Sequence, residues 1–181
     1  MHFYRLKTLQ NLRIRIAHGR GYEMAYSEDA IKLAVEVVNR IDRVLKVVPY
    51  NRDTGHVVAH CENTTFYIIY TRNTLRNPRS IGIDYSGEML GVRTPILTMN
   101  IDYIVWAVDR GNCIEIYAER ASKIHRFCID NKTIYRNRET GEHICNYPAT
   151  MARKIYEKCR ATLDMYLKAG DNSCAQGAEK R

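Results

Sequence analysis

The stretch from Asn100 to Glu119 constrains this chain more than any other. Apolar and aromatic residues alternate on both sides of Asp109-Arg110-Gly111-Asn112, which predicts two long strands joined by a tight turn. With Arg110 and Gly111 as the turn residues, Asp109 faces Asn112, Ala107 faces Ile114, Val105 faces Ile116 and Tyr103 faces Ala118, an apolar set. The other face brings Trp106 to Glu115, Ile104 to Tyr117 and Asp102 to Glu119, because successive side chains alternate across a strand. Directly opposed like charges destabilise a strand pair. Asp102 and Glu119 therefore need a nearby cation, a shared proton, a metal ion or water.

At 181 residues the chain is long enough for one domain with a proper core. We take residues 1–170 as that domain and 171–181, rich in Gly, Asn, Ser and Ala, as a disordered tail. No apolar run reaches membrane-spanning length, and the first residues lack the apolar core of a secretory signal. The expectation is an intracellular, cytoplasmic protein without membrane contact. A formal net charge of +8 favours an acidic partner such as nucleic acid. The six cysteines are too widely spaced for the paired knuckles of structural zinc. Glutamine occurs only at Gln10 and Gln176 while tyrosine occurs 13 times, a bias compatible with a thermophile source, in which intracellular disulfides occur.

Along the chain, Phe3, Leu6, Leu9, Leu12 and Ile16 suit a short helix over 3–18. Ser27 reads as the N-cap of a second helix whose stripe, Ile31, Ala34, Val35, Val38, Ile41, Val44 and Leu45, runs to about Lys46 before Pro49 closes it. A hairpin spans 55–72 with Asn63-Thr64 as its turn. Residues 73–95 form a turn-rich loop with one short strand at 80–85. After the central hairpin, 123–130 reads as a strand, Asn131-Lys132 as a turn, and 133–137 with 142–146 as a hairpin tipped by Gly141. A last helix runs from Pro148 to about Lys168. The sum is an α+β fold, an antiparallel sheet of about six strands flanked by two or three helices.

Two sets of residues carry the functional expectation. Arg72, Arg76, Arg79 and Arg93 cluster in or beside the loop, and Tyr135, Arg136 and Arg138 put an aromatic ring among basic side chains, so both sets suit phosphates and stacked bases. On the central hairpin, Asp102 and Glu119 would hold Mg2+ while Lys123 steadies water or phosphate. These residues loosely resemble the PD-(D/E)XK nuclease pattern, an Asp on one strand and Glu-x-Lys on the next, and the resemblance implies Mg2+-dependent phosphodiester cleavage. The chain departs from it, with Tyr117 and Ala121 where the lysine belongs. The rival expectation is a protein-interaction or assembly module, a homo-oligomer, in which Trp106, Ile104, Tyr117 and Val108 form a docking patch.

Overall fold

The computed structural model describes residues 21–50, 55–72, 75–76 and 87–159, and the side chains within these except at 21–27 and 75–76. The expected helix at 3–18, strand at 80–85 and tail at 171–181 lie outside the described residues. Helix α1 (Gly21–Ile41) buries a broad stripe, from Ala30 and Ile31 through Ala34, Val35 and Val38. It starts earlier than Ser27 and ends earlier than Lys46. Asp42 ends it: its carboxylate accepts from the Thr64 hydroxyl (2.6 Å), the Thr64 and Asn63 amides (2.9 and 3.0 Å) and the Asn63 side chain (3.2 Å). The apolar run after it then becomes strand β1 (Val44–Pro49), because Val44, Val47 and Val48 gain a ladder with β2 (Val57–Cys61).

Strands β1, β2 and β3 (Thr65–Thr71) form an antiparallel meander. Strand β6 (Tyr103–Asp109) lies parallel to β3, and β7 (Cys113–Arg120) closes the central hairpin beside it. A last strand, β10 (Arg153–Cys159), pairs with β7, giving the order β1-β2-β3-β6-β7-β10. The second sheet has the order β4-β5-β9-β8, built from β4 (Leu75–Arg76), β5 (Glu88–Arg93), β8 (Ile134–Arg136) and β9 (His143–Pro148). Two helices accompany it, the single turn α2 (Thr94–Leu97) and α3 (Ala121–Asp130). The architecture is α+β with mostly antiparallel pairing, as the sequence predicts.

The hairpin of 133–137 with 142–146 forms as expected, while the central hairpin and the one over 55–72 form with the turn moved by one residue. In the central one the Arg110 amide donates to the Cys113 carbonyl (2.9 Å), leaving Gly111 and Asn112 at the tip. Gly111 has φ +86°, as a type II′ turn requires of its first central residue, and its amide donates to the buried Asp109 carboxylate at 2.8 Å. Asp109 thus nucleates the turn. Each residue of β6 accordingly meets a partner two places further on than expected: Ile104 faces Glu119, Trp106 faces Tyr117 and Val108 faces Glu115. A shift of two keeps every side chain on its predicted face. The same holds for β2 and β3, where His60 faces Thr65 and the tip is Glu62-Asn63.

Neither face of the central hairpin is wet. Val105, Ala107, Ile114 and Ile116 pack under α1. Ile104, Trp106 and Val108 on the other face meet Leu90, Val92, Cys145 and Tyr147 of the second sheet and Ile124, Phe127 and Cys128 of α3. The patch proposed for docking is thus filled from within the chain. Residues 121–130 form a helix rather than a strand because Ala121, Ile124, Phe127 and Cys128 recur at helical spacing and bury one stripe. A disulfide between Cys128 and Cys145, Cα atoms 5.8 Å apart, ties this helix to β9. Of the helix expected from Pro148 to about Lys168, the part up to Cys159 is a turn followed by β10, whose pairing with β7 overrides the helical spacing of its few apolar residues, and 160–168 lie outside the described residues.

Candidate functional site

The corrected register separates the carboxylates expected to face each other. Asp102 lies just before β6 and turns toward β3, its Oδ2 accepting from the Thr65 amide at 2.8 Å. Glu119 turns toward α3 instead. It accepts from Lys123 Nζ (2.8 Å), the Tyr147 hydroxyl (3.1 Å) and the Arg120 amide (2.9 Å). Burial would raise the Glu119 pKa, but the hydrogen bonds, led by Lys123, outweigh it and hold the carboxyl below its ordinary range. Glu119 and Lys123 are therefore brought together, where β7 passes into α3, while Asp102 has another partner.

The basic residues expected to hold nucleic acid are dispersed. Arg72 is exposed just after β3, Arg76 lies in β4, and Arg79 falls outside the described residues. Arg93 ends β5 and pairs with Glu142 at 3.2 Å. Arg93 and Tyr135 do line one cavity, of about 210 Å³, together with His56, Thr71 and Ile144. Burial first, and then the Arg93 charge, lower the His56 pKa to about 4. Arg136 is exposed on β8 with Nε near the Gly141 carbonyl (3.3 Å), and Arg138 is exposed in the adjoining turn.

A larger groove, about 570 Å³, lies at the other end of the sheet on the α1 face. The two ends are roughly 20 Å apart along β3, at strand rise. Phe66 and Tyr103 stack at 5.3 Å and, with Ala118 and Ile155, form its apolar lining. The Arg120 guanidinium stands 5.9 Å from the centre of the Tyr103 ring. Arg153 is opposite Ala118 across the β7–β10 ladder, so the two arginines are diagonal neighbours on one face, with backbones roughly 7–8 Å apart. Arg43, Arg93 and Arg110 are neutralised by carboxylates, whereas Arg120 and Arg153 form no ion pair among the described residues. In the sequence Arg120 stands out only by its parity, opposite to that of Glu119, and Arg153 is hidden in a segment that reads as helix.

Beyond the hairpin tip, charge is densely paired. Arg110 grips Glu88 with both terminal nitrogens (2.7 and 2.6 Å) and Glu115 with Nε (2.8 Å). Tyr117 donates to the same Glu115 oxygen at 2.9 Å. Burial alone would raise the Glu115 pKa, but Arg110 and Tyr117 bring it below the usual value.

No protein-family model matches this sequence, and no curated protein and no solved structure matches it. No helix among the described residues is long and apolar enough to cross a membrane. The site thus has to be read from its own chemistry.

Proposed function

We propose that this protein binds nucleic acid through the groove lined by Tyr103, Arg120 and Arg153, mainly by its phosphates. The observation that carries the reading is a pair of guanidiniums, Arg120 and Arg153, that form no ion pair among the described residues and stand beside an aromatic lining. Arginine forks suit phosphate oxygens, which they hold through paired, charge-assisted hydrogen bonds. The volume falls within the range of about 300–1,000 Å³ usual for ligand sites. Of the formal net charge of +8, five units come from residues 1–20, where Arg5, Lys7, Arg13, Arg15 and Arg20 stand without any Asp or Glu. Such an imbalance favours a polyanion over a neutral ligand. Arg136 and Arg138 form a second, separate basic surface.

Binding of labelled single-stranded DNA and RNA, followed by anisotropy against salt, tests this. Affinity should fall steeply with salt, and Arg120→Ala and Arg153→Ala should each reduce the log–log slope by about one. Unchanged affinity and slope in the double variant would remove the groove from the reading. Mg2+-dependent cleavage at Asp102 and Glu119 requires both carboxylates to leave their present partners. The same incubation with Mg2+ against EDTA, read for fragment length and repeated with Asp102→Ala, decides that extension. The rival, homo-oligomeric assembly, has one observation in its favour: Ile41 and Leu45 are 61% and 52% exposed beside the edge strand β1. A monomeric mass by light scattering would dispose of it.

A further inference from the structure

We propose that Cys113, Glu115, Glu157 and Cys159 form a binding site for a soft divalent cation of the Zn2+ type, remote from the groove. The β7–β10 register pairs Cys113 with Cys159 and Glu115 with Glu157. Because the two pairs are two residues apart on each strand, all four side chains share one face and mark the corners of a square. One ligand atom each from Cys113, Glu115 and Glu157 already lies within 4.8 Å of the others. The Cys159 sulfur is 4.0 Å from Glu157 Oε1. Two thiols and two carboxylates make a donor set that Zn2+ takes in tetrahedral form, at about 2.3 Å to sulfur and 2.0–2.2 Å to oxygen.

A second observation shows that the square attracts a cation. Glu115 and Glu157 are directly opposed like charges, and the Lys154 ammonium bridges them, 3.3 Å from one and 2.8 Å from the other. Lys154 is itself exposed, so its ammonium can swing into water and yield the place to a metal ion. Arg110 and Tyr117 both hold Oε2 of Glu115, which leaves Oε1 to the displaceable Lys154 ammonium. This is the support that orients a ligating carboxylate. Cys113 is buried and Cys159 exposed, so the square opens to solvent on one side. On binding, two S–H bonds break, two metal–sulfur bonds form, and both protons go to the solvent.

The test is a Co2+ titration of the full chain with its free thiols kept reduced, followed by competition with Zn2+. One equivalent of Co2+ should produce a thiolate-to-cobalt absorption band that Zn2+ abolishes. Cys113→Ser and Cys159→Ser should each remove the band or weaken affinity at least about tenfold. Cys61→Ser should leave it intact, and Lys154→Met should tighten binding by deleting the internal competitor. No band, a band that follows Cys61, or equal affinity in Lys154→Met overturns the proposal. If Cys113→Ser fails to fold, the exposed Cys159 carries the same test.

Discussion

The indole Nε1 of Trp106 donates to the Gly91 carbonyl at 3.0 Å, so the centre of the six-stranded sheet is bonded directly to the sheet that covers it. Trp106 has no exposed surface and its ring lies parallel to that of Tyr147, with centroids 6.5 Å apart. Trp106→Phe keeps an aromatic ring but removes the donor and leaves a void. The Gly91 oxygen then loses a partner, a change that costs about 1–3 kcal/mol. Urea unfolding should show a lower midpoint with an unchanged slope. An unchanged midpoint would mean the two sheets do not depend on this bond.

Arg110 holds together two carboxylates from different sheets, Glu88 of β5 and Glu115 of β7. Replacing it by methionine leaves both acids partly buried without their fork and should destabilise the fold by about 1–3 kcal/mol at neutral pH. The folded Glu115 pKa is depressed, so its contribution is present above the unfolded value near 4.5 and disappears as pH falls through the folded one. The deficit of Arg110→Met should therefore shrink on acidification below about pH 4.5. Denaturation of both proteins over a pH series from neutrality to well below the ordinary carboxylate range measures it, and a deficit that stays constant over the whole series would point to lost packing instead of lost charge pairing.

The contrast between what could and could not be read from the sequence follows the range of the interactions. Alternation assigned the faces of β2, β3, β6 and β7 correctly even though both turns were misplaced, because a two-residue slip preserves parity. Register was not legible: Asp109 fixes the tip through a hydrogen bond to the Gly111 amide, and a single turn residue moved Asp102 away from Glu119. That the second face of the hairpin is buried was equally hidden, since Glu115, Tyr117 and Glu119 look solvent-bound until Arg110, Lys123 and Tyr147 supply their partners. In β10 only Ile155 and Tyr156 are even half-buried, so no period-two signal existed to compete with the helical one. The sheet does oppose two carboxylates, but they are Glu115 and Glu157, across a ladder the sequence does not reveal.

The Cys128–Cys145 bridge closes a sequence separation of 17 residues, and both cysteines are fully buried between α3 and β9. Chain-entropy reasoning gives a loop of this length about 3 kcal/mol. Thermal unfolding with a strong reductant should therefore occur at a lower temperature than without it. Because the sulfurs are sheltered, reduction of the native protein should be slow and should accelerate at the onset of unfolding. Equal transitions under both conditions would show that the bridge contributes nothing to the folded state.

His56 supplies the sharpest dependence on pH. Burial disfavours its charge and the neighbouring Arg93 is a cation, so its pKa is lowered to about 4 from the ordinary 6.5. Between those two values the unfolded chain binds a proton that the folded chain does not. Stability consequently rises with pH across this window and is lost as pH is lowered from about 6.5 toward 4. His56→Gln retains a polar side chain without that titration. Its urea midpoint, followed at pH 7, 6 and 5, should fall less steeply than that of the parent protein, the difference growing toward pH 5. Parallel lines for the two proteins would show that the imidazole takes up its proton in the folded state as readily as in water, and that the Arg93–Tyr135 cavity does not hold it neutral.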